Sequence, residues 1–132
     1  MAIATCIEKP TIIVRRTCAS GGAIPKGTLL RFSASPNTVL PFNADNDPFA
    51  GIAVEEKVAA ETDITNIGVA LDGVWQVTCT DAPITVGQLV NFTAANSVAA
   101  AANADFEAGS IVGRAEQTKD AALSIRVRLM GF

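Results

Sequence analysis

The chain reads as all-β: a compact small barrel or sandwich built from two pseudo-repeats, with an extended N-terminal arm. Three observations lead there. First, the sequence repeats itself. Ile24-Pro-Lys-Gly-Thr-Leu-Leu-Arg-Phe-Ser-Ala34 returns sixty residues later as Ile84-Thr-Val-Gly-Gln-Leu-Val-Asn-Phe-Thr-Ala94, and Asn43-Ala-Asp45 returns at the same offset as Asn103-Ala-Asp105. That makes eight identities in 22 ungapped positions, where chance pairing gives roughly one or two. Second, short β-branched or alternating runs recur between turn signals. Third, no long stretch carries a 3.6-residue apolar period.

Residues 1–10 end in Glu8-Lys9-Pro10. Proline lacks a backbone donor, so this piece is expected as an arm or an edge strand. Thr11-Ile-Ile-Val-Arg-Arg-Thr-Cys18 is the first confident strand. Ile24-Pro25-Lys26-Gly27 is a tight turn, because Pro presets φ and Gly accepts φ > 0. Leu29, Leu30 and Phe32 carry the strand that follows, residues 39–42 form a short one, and Gly51-Ile-Ala-Val54 returns. Residues 55–63 cross over on the surface. Ile67, Val69 and Leu71 then alternate, as do Trp75, Val77 and Cys79, and the Asp72-Gly73 pair between them signals a hairpin.

The second copy begins with the Gly87 turn and the Leu89–Phe92 strand positions. Its partners extend the repeat: Thr17-Cys18 matches Thr78-Cys79, and Ile67-x-Val69-x-Leu71-x-Gly73 matches Ile125-x-Val127-x-Leu129-x-Gly131. The pseudo-repeats thus run about 11–73 and 75–131 within one domain of residues 11–132, preceded by the arm. The alanine-rich residues 97–103 look helical by propensity. Their counterpart contains Pro36 and Pro41, which a helix interior expels, so strand and loop are expected. Two copies are too few for a solenoid, and two halves closing on each other into one barrel would remove exposed edges. Gly27, Gly87, Asp72 and Gly73 are then structural turns, and Leu29, Phe32, Leu89 and Phe92 core positions.

Composition narrows function by exclusion. With 49% apolar and 17% charged residues, this is not a disordered chain. No apolar run approaches the length that spans a bilayer, so no membrane partner is expected. The first ten residues lack a signal peptide's basic head and apolar stretch, and we expect a soluble protein made in the cytoplasm. A net charge of −3 with interspersed signs argues against nucleic acid. Three cysteines without CxxC spacing read as free thiols. The absence of histidine rules out His-based triads, His-ligated zinc and HExxH chemistry. We expect no enzyme, cofactor or metal.

The remaining candidates have bland readings. Asn43-x-Asp45-x-Asp47 begins like a calcium loop, yet Pro48 follows where Gly is needed and Val54 stands where the closing Glu should be; it reads as a polar turn. Glu55-Glu56 and Glu61-x-Asp63 read as solvated charge. Arg126 and Arg128 share one face of the last strand, with Arg114 able to join them, and read as an interface or ion-pair cluster. Trp75 is a core residue or an interface anchor. The arm, with Ile3, Cys6 and Ile7 among polar residues, is either a frayed terminus or a strand donor to another chain's sheet.

The pieces at residues 24–29 (Ile-x-x-Gly-x-Leu), 51–55 (Gly-Ile-Ala-Val-Glu), 69–77, 84–89 and 113–129 together resemble the capsid cement, or head decoration, proteins of tailed bacteriophages, over about residues 11–130. The resemblance implies a β-rich homotrimer that binds the outside of the expanded head and clamps neighbouring subunits of the major capsid protein. It places the protein on the outer capsid surface of the virion. It also implies an N-terminal arm that pairs with a capsid strand, which assigns partner binding to Ile3, Cys6, Ile7, Thr11, Ile12, Ile13 and Val14. A second resemblance, of Ile24-Pro-Lys-Gly-Thr-Leu29 to small β-clip domains, implies a saccharide- or ligand-binding module instead.

Overall fold

A five-stranded and a six-stranded sheet, alike in connectivity, make up the computed structural model. It describes residues 3–18, 22–41, 47–58, 60, 63, 65–80, 82–101, 109–119 and 123–129. Asn43, Asp45, Glu61, Asn103, Asp105 and Gly131, named above, lie outside the described residues, as does the side chain of Phe92. All described elements are strands: β1 (Thr5–Glu8), β2 (Ile13–Thr17), β3 (Leu29–Phe32), β4 (Val39–Leu40), β5 (Phe49–Ala53), β6 (Asn66–Ala70), β7 (Val74–Cys79), β8 (Leu89–Ala94), β9 (Ser97–Ala100), β10 (Ile111–Ala115) and β11 (Ser124–Leu129).

The first sheet runs β2-β6-β5-β3-β4 and the second β1-β7-β11-β10-β8-β9. Without β1, the second order is the first with every strand number raised by five. In the second sheet β9 comes back to β7 in parallel, Thr78 opposite Ser97 and Cys79 opposite Val98, and closes a five-stranded barrel. Among the described residues the first sheet has only a lone parallel bridge at that place, Thr17 to Thr38. The barrel expected from the sequence is present, but it closes within residues 74–129 rather than between the two halves.

Bonds at matching places recur in both halves. Gly27 N–H donates to Ala53 O and Ala53 N–H to Thr28 O; Gly87 N–H donates to Ala115 O and Ala115 N–H to Gln88 O. The bulge that shifts register between β3 and β5 at Leu30/Arg31 has its counterpart between β10 and β8 at Ile111/Gly113. Asn37 and Asn96, at the turns into β4 and β9, both take φ of 57°, a conformation asparagine tolerates better than most residues.

Alternation explains the cores. On β11, Ile125, Val127 and Leu129 point inward and Arg126 and Arg128 outward, as a period of two requires. The larger cluster fills the barrel with Trp75, Val77, Ile84, Val90, Val98, Val112, Ile125 and Val127, and reaches Leu29, Phe49, Ile52 and Ala70 of the first sheet. A second cluster of Ile24, Leu30, Val39, Ala50, Ala53, Ile67 and Val69 lies on the first sheet's other face. Of the expected core positions, Leu29 is fully buried, while Phe32 and Leu89 are half-buried. Asn96 ties the halves together, its buried Oδ1 accepting from Leu29 N–H at 2.9 Å.

One local expectation changes and one open alternative is decided. The Asp72-Gly73 pair is a turn but not a hairpin: β6 pairs with β2 and β5 in the first sheet, β7 with β1, β9 and β11 in the second. The turn carries the chain from one sheet to the other, because each half buries its own apolar face and β6 finds partners within its half. For the N-terminal piece, expected as an arm or an edge strand, the second alternative is found: residues 5–8 pair with β7 at the edge of the sheet (Thr5 opposite Gln76, Cys6 opposite Trp75). The alanine-rich run does contain a strand, β9.

Candidate interaction surface

The N-terminal stretch begins with a buried anchor. Ala4 is 6% exposed and sits in the larger core, with its N–H donating to Gly27 O at 2.9 Å. Gly27 makes that approach possible: a Cβ there would collide with the Ala4 carbonyl oxygen, and φ is +94°. Gly87, its counterpart, has similar φ (+91°) but nothing near the missing Cβ. Beyond Ala4, β1 occupies the part of the β7 edge that β9 leaves open. Ile3 and Ile7 remain exposed, as does the Cys6 thiol.

The strand's far end is held by charge and by a turn. Glu8 Oε1 lies 3.5 Å from Arg128 Nη2, which also reaches Glu116 Oε1 at 3.2 Å. Glu116 first, then Glu8, raise the Arg128 pKa further above its ordinary value. The Glu8 and Pro10 backbone passes over Gly73, where a Cβ would lie 2.8 Å from Glu8 O and 3.2 Å from Pro10 N. Asp72 then gathers the chain. Its carboxylate accepts from Thr11 Oγ1, from Thr11 N–H at 2.8 Å and from Ile12 N–H at 2.9 Å. The Thr11 hydroxyl first, and next the Ile12 N–H, hold the Asp72 pKa below the usual carboxylate range, because bonds to the charged form favour it.

The stretch therefore does not form one continuous strand. Ile3, Cys6 and Ile7 lie beside the barrel, Thr11 and Ile12 at the turn, and Ile13 and Val14 in β2 of the other sheet. Ile12 and Ile13 are 51% and 53% exposed, while Val14 packs against the second core cluster. Next to them, Arg15 binds Glu55 Oε1 at 2.9 Å and Asn66 Oδ1, and Arg16 reaches Asn37 Oδ1 at 2.7 Å with its guanidinium 5.4 Å from the Phe32 ring centre. Of these partners, the sequence marked only Glu55 as a charge, and nothing local identified Asp72 as a side-chain anchor.

Trp75 is buried at 2% and donates its indole N–H to Asp72 O at 3.1 Å, so within this chain it belongs to the core. Arg126 and Arg128 are exposed on β11, and Arg114 of β10 stands directly opposite Arg128. A cationic face results, which Glu8 and Glu116 partly neutralise. Burial pushes the Cys18 thiol up, against smaller opposing effects of Lys57 and Arg15; a buried, mostly neutral thiol is a poor nucleophile. Among the described residues no group of three or more Cys, Asp or Glu side chains could hold a metal. Two open grooves flank Ile3: one of about 290 Å³ lined by Pro25, Pro41, Ala95 and Asn96, and one of about 380 Å³ lined by Cys6, Lys26, Glu56 and Trp75.

A family model described as structural cement protein (E217 gp24/Pam3 gp6) matches residues 6–129. Among solved structures, the head fiber gp8.5 N base of bacteriophage phi29 is similar, with a TM-score of 0.57 at 16% identity; the match covers 90% of this chain and 95% of that one. At that identity the likeness bears on the fold alone. A search of curated proteins finds no match.

Proposed function

The chain belongs to the phage structural cement protein family, and on that premise we propose that it binds the outer surface of the major capsid protein shell and stabilises the head. Its role is structural, as part of a phage particle. The observation that carries the proposal is the family match across residues 6–129, which takes in both sheets and β1. The exposed Ile3, Ile7, Ile12 and Ile13 support an apolar contact along the N-terminal stretch, and the Arg114, Arg126 and Arg128 face supplies a charged one. In this reading the stretch from Ile3 to Val14 contacts the shell, the protein acts as a homotrimer as the family resemblance implies, and binding follows assembly in the host cytoplasm. The two halves are copies of one duplicated unit, a reading supported by their matched strand orders, bonds and bulges.

Expanded heads lacking the protein provide the test. Added protein is expected to bind to saturation and to raise the temperature at which the heads release their genome. Ile3→Asp with Ile7→Asp is expected to weaken binding roughly tenfold or more, since exposed apolar residues contribute to contacts mainly when desolvated. A protein that ignores the shells and instead binds a saccharide in the groove beside Asn96 would overturn the proposal and favour the β-clip reading.

A further inference from the structure

The edge of β2 that faces away from β6 has an occupied counterpart in the other half. On β7, Leu129 N–H donates to Gly73 O and Cys79 N–H to Leu123 O, so odd-numbered backbone groups face β11. Alternation along an antiparallel ladder turns Val74, Gln76 and Thr78 the other way, where β1 covers Val74 and Gln76 and β9 covers Thr78. The same bonds recur on β2. Leu71 N–H donates to Ile12 O and Cys18 N–H to Thr65 O, on the β6 side, whereas Thr17 N–H donates away from β6 to Asn37 O. Ile13 and Arg15 are thus turned outward as Val74 and Gln76 are. Among the described residues no strand pairs with that side of them.

The open stretch has defined limits. Asp72 takes the Thr11 and Ile12 N–H groups at one end, and the bond to Asn37 occupies Thr17 at the other. Between them lie the outward N–H and C=O of Ile13 and of Arg15. Open edges of this kind are usually blunted by proline, by charged side chains or by a covering segment; here Ile12 and Ile13 are half exposed and Arg15, the charged one of the two outward-turned residues, is already paired with Glu55.

The occupied counterpart also supplies a register. Cys6 stands opposite Trp75 in an antiparallel pair, and Val14 holds in β2 the place that Trp75 holds in β7. An antiparallel strand whose central residue stands opposite Val14 would therefore complete the edge. The β2 of a second copy meets this requirement with itself. With the two Val14 residues opposite each other, Ile13 of each copy faces Arg15 of the other, and four backbone hydrogen bonds use every outward group. The side chains agree: Arg15 is held on its own chain by Glu55 and Asn66, so its stem lies beside the facing Ile13 and the two guanidinium groups are diagonal neighbours.

We propose that β2 is a self-association edge, through which two copies pair antiparallel about a two-fold axis at Val14 and join their first sheets into one. A two-fold contact closes at two copies; it takes the Ile13 and Val14 end of the stretch proposed to meet the shell, so pairing and shell binding compete for that end. Sedimentation equilibrium of the full chain over a range of concentrations, with residue-resolved amide exchange, tests it. For the free chain, away from the shells on which the homotrimer is proposed to act, the expected result is a concentration-dependent dimer in which the Ile13 and Arg15 amides gain protection as it forms. Ile13→Pro removes an outward donor and leaves the β6 bonds in place, so it should lower dimer affinity roughly tenfold or more. Ile13→Lys, which keeps the backbone intact and charges the edge, should act in the same direction should the proline variant misfold. A monomer at every concentration, an oligomer indifferent to both variants, or protection of Ile13 and Arg15 only by capsid shells would each overturn the proposal.

Discussion

Two residues show how one position can matter far more than its repeat partner. Gly27 and Gly87 share a turn and a positive φ, yet only Gly27 has the Ala4 carbonyl against its missing side chain. Gly87→Ala meets backbone strain alone, about 1–2 kcal/mol. Gly27→Ala adds displacement of the N-terminal strand and should cost about 1–3 kcal/mol more, readable as a difference in chemical denaturation midpoints. Asp72 is the second case. Its folded-state pKa is depressed, so its contribution is present above the ordinary value of 3.8 and is lost as pH falls through the lower folded value. Thermal melts between pH 5 and 2 should fall more steeply for the native chain than for Asp72→Asn, which titrates nothing at this position. At neutral pH Asp72→Ala should cost about 1 kcal/mol, a low figure for bonds to a charged group because the carboxylate faces solvent.

At the scale of the element, β1 changes meaning. Proline at position 10 and the lead-in outside the repeat suggest an arm that the barrel can do without. Ala4 in the core and β1 on the β7 edge fasten it to the barrel. Deleting residues 1–8 should therefore lower the melting temperature and shift Trp75 fluorescence to the red, since Cys6 stands opposite Trp75 in the β1–β7 pair; an unchanged melt would show β1 to be dispensable. The same element explains why β6 and β7 part company. Glu8 and Pro10 pass over Gly73 and Asp72 captures Thr11 and Ile12, so the linker between β1 and β2 is pinned to the turn between the two sheets. Asp72-Gly73 signals a reversal, and the reversal occurs; which sheet each strand joins is decided by burial.

For the whole molecule, the two sheets share one connectivity but differ in completeness. The second is closed by β9 and extended by β1, while among the described residues the first has a single bridge in place of closure. The larger cluster extends from the barrel into the first sheet through Leu29, Phe49, Ile52 and Ala70, so the halves should unfold together. Urea denaturation followed by Trp75 fluorescence, which reports the second half, should coincide with denaturation followed by far-ultraviolet dichroism, which reports both. Two separated transitions would mean that the shared core does not couple them. The proposed shell contact belongs at this scale as well, because the exposed isoleucines and the arginine face come from different elements.

By itself the sequence determined the class of fold, most strand positions, the turn glycines and the family resemblance. These follow from period-two patterning, local turn chemistry and a repeat long enough to exceed chance, all of which are local along the chain. It also bounded the chemistry, since a chain without histidine cannot build His-dependent sites. Only the tertiary structure decided that closure lies within one half, that β6 and β7 belong to different sheets, that Trp75 faces inward, and that Asp72 binds residues about sixty positions away. Strand partners are chosen by which apolar faces bury together and which edges are already filled. Neither is written in the alternation of any one strand, which is the same whether its neighbour is β2, β7 or a strand from another molecule.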